Sequence, residues 1–134
     1  MHIATDLDGT LLNHADFEHL LTGNRDDLDV FHELTLSMPV YGEVLDRVIG
    51  GSKLTVITHR EELWRGITTD WLALHSVPYD ELVMRPNDDT RKAWEVKIPW
   101  LLDNNADVVF EDNALTLSAA RAAGIRVVEC PLQP

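Results

Sequence analysis

The residues best suited to chemistry stand at four places along the chain. The first is Asp6-Leu7-Asp8-Gly9-Thr10, two carboxylates two residues apart at the end of an apolar run. The second is Thr58, followed by His59 and Arg60; the third is Lys97; the fourth is Glu111-Asp112-Asn113. Carboxylates brought together in a low dielectric repel one another strongly, and a divalent cation relieves that repulsion. Hard cations such as Mg²⁺ take oxygen ligands of this kind. A phosphoryl group can then bridge cation, hydroxyl and lysine, so the chemistry that fits is phosphoryl transfer. Asp6 is the expected nucleophile, forming an aspartyl-phosphate. Asp8 points differently because of the turn, where Gly9 lets the chain leave the strand sharply, and is the expected general acid and base. Thr58 and Lys97 are expected to hold the phosphoryl oxygens and offset developing charge. Asp6, the backbone carbonyl of Asp8, Glu111 and Asp112 would complete a Mg²⁺ shell with waters.

The elements that must position these groups follow from the apolar pattern. Residues 2–6, the β-branched run 53–58, 81–84, 107–111 and 125–129 read as five strands. Helices are expected over 40–49, stopped by Gly50-Gly51, and over 61–75, where Trp64, Ile67, Trp71 and Leu74 recur at steps of three and four. Two more are expected over 92–104, with Pro99 in the first half or at a kink, and over 114–123, closed by Gly124. Strands alternating with helices predict an α/β fold: a Rossmann-like, doubly wound, five-stranded parallel sheet covered on both faces. In such sheets ligands bind beyond the carboxyl ends of the strands, where all four clusters fall. Residues 11–39 do not fit the alternation. They are expected to be an insertion, a minimal cap or flap over a single domain spanning 1–134.

Composition narrows the classes. The 134 residues are 45% hydrophobic, enough for one core. Cys130 is the single cysteine, so no internal disulfide forms. The start MHIATDLDG is not that of a signal peptide, and no apolar stretch is long enough to span a membrane. A cytoplasmic protein is the expectation. Eleven basic against 23 acidic residues, a net charge of −12, argue against binding along an extended nucleic-acid backbone. They leave open a phosphorylated small molecule, or a strand end held in one local basic pocket.

DLDGTLLN after a strand, Thr58 after the second, Lys97, and FEDN after the fourth resemble the four motifs of the haloacid dehalogenase (HAD) superfamily of phosphatases. The resemblance runs from Ile3 to Val128. It implies a HAD-like core, Mg²⁺ dependence and the roles given above, and an open site where the cap is small. The second half is similar, more narrowly, to the 3′-phosphatase domain of bacteriophage polynucleotide kinase-phosphatase. There an arginine follows the second-strand hydroxyl by two residues, and a TRK segment precedes the lysine. Arg60, Thr90, Arg91, Lys92 and Lys97 match that arrangement. By that resemblance Arg60, Arg91 and Lys92 are expected to contact substrate, a nucleotide or a polynucleotide 3′-phosphate, and His59 is a further candidate beside Arg60. The pair Glu111-Asp112 departs from the two aspartates found there and occurs in sugar-phosphate enzymes of the superfamily. No GxxxxGK[ST] kinase signature is present.

The remaining polar and aromatic residues have plainer readings. The histidines at 2, 14, 19, 32 and 75 have no metal-ligand spacing and default to the surface. Trp64, Trp71, Trp94 and Trp100 are expected in the core, Cys130 as a small hydrophobe, Asn113 as a cap or supporting residue, and the acids at 16, 18, 26, 27 and 29 on a solvated face. A two-component receiver domain is excluded, because it needs an aspartate ending the third strand, where this chain has Met84-Arg85. Two alternatives stand: a phosphatase of another small ester (a 5′-nucleotidase or sugar phosphatase), and a silent HAD-like binding domain.

Overall fold

The structure, a computed structural model, describes residues 1–132. Its centre is a parallel sheet of five strands: β1 (His2–Thr5), β2 (Lys53–Glu61), β3 (Glu81–Arg85), β4 (Val108–Glu111) and β5 (Arg126–Glu129). The spatial order is β3-β2-β1-β4-β5, so the direction of winding reverses at β1. That reversal is the switch point at which such sheets open a crevice. Register pairs Ile3 with Leu54 on one side and Val108 on the other, which aligns the ends of β1, β2 and β4.

Alternation along the strands separates two cores. Ile3, Leu54, Val56, Val108 and Phe110 face one side, against Val44 and Val48 of α2 (Gly42–Val48) and Trp71 and Leu72 of α3 (Arg65–Leu74). Ala4, Ile57 and Val109 face the other, against Leu101 of α4 (Ala93–Asp103) and Ala120 of α5 (Ala114–Ala122). Strands buried on both faces are nearly continuous apolar runs, which is why β2 from Leu54 to Ile57 is interrupted only by the fully buried Thr55. Asn113 caps α5, its side chain accepting the Thr116 N–H at 3.0 Å. Gly124 then takes the left-handed φ of 80° that ends the helix.

Several boundaries differ from the sequence reading. β2 runs three residues past Thr58 to Glu61, and its pairing with β3 shifts between Ile57 and Glu61. The irregularity lets the chain carry Thr58, His59 and Arg60 past the sheet edge before α3 begins. Pro99 lies beyond the middle of α4, not in its first half. Its ring removes one internal hydrogen bond, and the helix continues to Asp103.

Residues 11–39 are only partly an insertion. Leu11 and Leu12 are fully buried in the main core, and Leu12 bridges to Val40. The cap proper begins beyond them, with a 3₁₀ turn at Ala15–Leu20, helix α1 (Arg25–Glu33) and a second 3₁₀ turn at Thr35–Ser37. α1 opens with a capping box: the Asn24 side chain accepts the Asp27 N–H at 3.0 Å, and Asp27 accepts the Asn24 N–H at 3.2 Å. Phe31 anchors this helix in the core, and the Trp71 indole donates to the Met38 carbonyl at 2.9 Å. Of the four tryptophans only Trp71 is fully buried; Trp64 and Trp100 are half-buried and Trp94 is exposed. No helix among the described residues is long and apolar enough to cross a membrane.

Candidate active site

Asp6 follows the last residue of β1, where its backbone N–H still donates to the Phe110 carbonyl of β4 at 2.8 Å. Its side chain is therefore fixed at the centre of the sheet edge. Gly9, at φ 83°, turns the chain back at once, and the Leu11 and Leu12 N–H groups donate to the Leu7 carbonyl. A side chain at Gly9 would collide with the Asp112 carboxylate, so the turn and the second acidic pair fit only without one.

Lys97, from the first half of α4, is buried at 3% exposure and joins two of the acids. Its Nζ donates to Asp6 Oδ1 at 2.9 Å and to Glu111 Oε1 at 2.8 Å. The other Glu111 oxygen accepts the backbone N–H groups of Asp112 and Asn113 at 3.0 and 3.1 Å. Thr10 ties the acids from the opposite side, its hydroxyl donating to Asp112 Oδ1 at 3.1 Å and Asp6 Oδ2 at 3.4 Å. Asp6, Glu111 and Asp112 each place an oxygen within 4.8 Å of the others.

The electrostatics of this cluster are unbalanced. Burial disfavours a charge on Asp6, but Lys97 and the surrounding hydrogen bonds outweigh it and hold the Asp6 carboxyl below its usual value. Glu111 is pushed up to about 7 by burial and by the charge on Asp6, against the pull of Lys97. Asp112 is pushed up to about 9 by burial, by its hydrogen bond with Asp6 and by the Asp6 charge. Burial works against the Lys97 ammonium, yet Asp6 and Glu111 raise its pKa above the usual lysine value. One ammonium thus stands against three carboxylates, bonded to two of them, and the Asp112 carboxyl is held well above the usual carboxylate range. Three hard oxygen donors with one charge too few is the donor set of a divalent cation. The residues fit Mg²⁺.

Asp8 is held apart from this cluster. Its carboxylate turns to Arg60, which grips it with Nε at 2.9 Å and Nη2 at 2.8 Å. The remaining Arg60 donor, Nη1, reaches the hydroxyls of Thr35 and Thr68 at 3.0 and 3.2 Å. Arg60 is expected from the sequence to touch substrate; in the structure it is 3% exposed and its hydrogen bonds run to protein groups. Thr58 is buried at the same edge, its hydroxyl oxygen accepting the Arg60 N–H at 3.2 Å. That leaves the Thr58 proton available to an incoming oxygen.

A cavity of about 390 Å³ opens over these groups. Asp6, Asp8, Thr58, His59, Arg60, Lys97, Glu111 and Asp112 all line it. Arg91 and Lys92 do not: Arg91 is exposed and ion-paired with Asp89 at 2.6 Å, and exposed Lys92 precedes α4. Two other cationic side chains reach the cavity instead, Arg25 from the cap and Arg85 from the end of β3. Both lie near Glu61, at 3.5 and 3.7 Å. His14 and His32, assigned by default to the surface, are half-buried cavity residues, because the cap folds inward over the sheet edge. The spacing Leu28, Phe31, His32 after the Asn24-x-x-Asp27 cap is the signal that points to this inward helical face. Thr10, Thr35 and Thr68 carry no comparable signal.

No family model matches the sequence, and no curated protein matches it. Solved structures do. A chain in the structure of the Pnkp1/Rnl/Hen1 RNA repair complex superposes with a TM-score of 0.76 at 20% identity, over 96% of this chain and 41% of that one. A HAD-superfamily hydrolase from Geobacter sulfurreducens matches with a TM-score of 0.56 at 16% identity, over 98% and 88% of the two chains. A hydrolase from Streptococcus pneumoniae matches at 0.62 and 15% identity, over 98% and 92%. The chain spans less than half the length of the repair-complex chain it matches. Its fold is that of the HAD-like hydrolases, as the order of its motifs implies.

Proposed function

We propose that this chain is a Mg²⁺-dependent phosphomonoesterase working through an aspartyl-phosphate on Asp6, with a nucleotide or polynucleotide 3′-terminal phosphate as its substrate. The observation that carries the reading is the convergence of Asp6, Lys97, Glu111 and Asp112 on one wall of a cavity that Asp8 and Thr58 also line. Asp6, Glu111 and Asp112 would hold the cation together with the Asp8 carbonyl. When bound, Mg²⁺ neutralises the excess carboxylate charge and polarises phosphoryl oxygens.

The chain's own groups divide the remaining work. Asp6, kept ionised beside Lys97, attacks phosphorus while the bond to the leaving oxygen breaks. Asp8 gives that oxygen a proton, then removes one from the water that attacks the aspartyl-phosphate and releases phosphate and free Asp6. Thr58 and Lys97 hold the non-bridging oxygens and offset their charge. Arg60 positions Asp8 throughout.

A nucleic-acid end is supported by the TRK segment and by the likeness to a chain of an RNA repair complex. The net charge of −12 restricts such a substrate to its terminal residues. Roofing of the cavity by α1 supports a second reading, hydrolysis of a smaller ester such as a 5′-nucleotide or sugar phosphate. The test is phosphate release with Mg²⁺ from a 3′-phosphorylated oligonucleotide beside mononucleotides and sugar phosphates, with Asp6→Asn as control. Turnover of the oligonucleotide that Asp6→Asn abolishes supports the first reading. Turnover confined to the small esters supports the second, and none at all leaves a silent binding domain.

A further inference from the structure

The cavity extends beyond the acids under α1, and there its wall is aromatic. His14, Phe31, His32 and Trp64 all line it. Their rings form one continuous series. His14 meets Phe31 edge-on at 5.9 Å between centroids, Phe31 meets His32 edge-on at 5.3 Å, and His32 lies over Trp64 at 4.9 Å with planes 32° apart. The series starts beside Gly9, whose missing Cβ would stand 3.0 Å from His14 Nε2, and ends at half-buried Trp64, between β2 and α3.

Phosphoryl transfer has no use for these rings. His32 is a neutral imidazole, held down to about 4 by burial and by the neighbouring Arg60, so it offers a phosphate little attraction. It presents instead a flat face and a hydrogen-bonding edge. The Nδ1 atoms of His32 and His59 are buried and have no hydrogen-bond partner among the described residues, while that of His14 faces the Glu18 carboxylate at 3.6 Å. Buried polar atoms are normally paired. Two unpaired ring nitrogens on residues beside one cavity match a ligand that brings its own donors and acceptors on a planar frame.

We propose that this wall receives the leaving group of the substrate as a nucleobase, stacked along His32 and Trp64 with its polar edge toward the unpaired imidazole nitrogens. The proposal rests on the phosphatase reading and names the part of the substrate that the cap selects. Base–aromatic stacking tolerates any base, so the selection is for a nucleoside over an aliphatic or sugar alcohol and not for one base over another.

The test compares two secondary esters, a nucleoside 3′-monophosphate and glycerol 2-phosphate. In Trp64→Leu the ratio of their kcat/KM values is expected to fall about tenfold, mainly through KM of the nucleotide, and Trp64→Phe is expected to restore most of it. If Trp64→Leu does not fold, His32→Asn carries the same comparison. A ratio that moves less than twofold, or a hexose phosphate with the same dependence on Trp64, overturns the proposal. Binding is read without turnover, by calorimetric titration of the nucleoside 3′-monophosphate into Asp6→Asn with Mg²⁺. Binding weakened about tenfold by Trp64→Leu supports the wall even if no ester is hydrolysed; unchanged binding overturns it.

Discussion

Arg60 holds both carboxylate oxygens of Asp8, at 2.9 and 2.8 Å, and does so from a position 52 residues further along the chain. The guanidinium is itself fixed by Thr35 of the cap and Thr68 of α3, and lies 5.8 Å from the centre of the Phe31 ring. The group assigned to proton transfer is thus oriented by a fork that the sheet, the cap and α3 jointly hold. Arg60→Lys keeps the charge and loses the two-pronged grip. We expect kcat to fall by roughly 10–100-fold, part of the ~10²–10⁴ that a positioned acid and base supplies. Arg60→Ala also leaves Asp8 unpaired and is expected to cost about 3 kcal/mol in urea unfolding, the low end for a broken buried pair because Asp8 keeps some solvent contact. Equal kcat values for Arg60→Lys and the parent chain would remove Arg60 from the mechanism.

Lys97 is the single counter-charge between Asp6 and Glu111. Lys97→Met leaves both carboxylates buried without it and is expected to destabilise the metal-free chain by about 3–5 kcal/mol. Urea unfolding with and without Mg²⁺ reads this out. Added Mg²⁺ should recover more stability in Lys97→Met than in the parent chain, while hydrolysis stays lost.

Asp6→Asn should abolish hydrolysis and also the trapped intermediate. Acid quenching of the parent chain during turnover of a ³²P-labelled ester is expected to leave label on protein, released by hydroxylamine as an acyl phosphate is. Label that persists in Asp6→Asn would place the nucleophile elsewhere.

Gly9 combines a left-handed backbone with a neighbour that leaves no room for a Cβ. Gly9→Ala is expected to cost about 1–3 kcal/mol from the backbone alone. It should also displace Asp112 and weaken Mg²⁺ binding, measured by calorimetry, more than Gly42→Ala, where an added methyl meets nothing within 4 Å.

The acidic cluster gives the metal-free chain a pH dependence of definite sign. Asp112 and Glu111 have folded-state pKa values raised to about 9 and about 7, so above their unfolded values the native state binds more protons than the unfolded one. Their contribution is present at low pH and is lost as pH rises, through about 7 for Glu111 and about 9 for Asp112. His32 and His59, both lowered to about 4 by burial first and then by Arg60 and Arg85 respectively, act oppositely and only below about 6.5. Between pH 7 and 9 the histidines no longer contribute, and the buried Cys130 thiol, raised to about 11, adds to the acids with the same sign toward pH 9. Without metal, Tm is expected to fall across that interval, and the rise in Tm on adding Mg²⁺ to grow. Asp112→Asn should flatten both trends; a Tm that rises from pH 7 to 9 without metal would contradict the cluster's charge balance.

Local patterns carried much of this molecule. Asp6 and Asp8 are legible because a strand that ends in D-x-D-G brings both carboxylates to a turn at the sheet edge, and Gly124 because a helix end needs a left-handed residue. Thr58, Lys97, Glu111 and Asp112 are legible as a set because parallel topology brings the carboxyl ends of β1, β2 and β4 to one edge. Strand and helix periodicity suffices for that inference, since it depends on order and direction and not on side-chain detail. What the long side chains meet is another matter. Arg60, Arg91 and Lys92 look alike as basic residues near the motifs, yet Arg60 is buried against Asp8, while Arg91 pairs with Asp89 and Lys92 stays in solvent outside the cavity. Flexible chains of several bonds choose among partners supplied by distant segments, and no local spacing encodes that choice. The cap shows the same division. Its capping box and the steps 28, 31 and 32 belong to the sequence; that α1 folds back over the sheet edge, bringing His14, Phe31 and His32 into line with Trp64, is decided only when Phe31 and Met38 find the core.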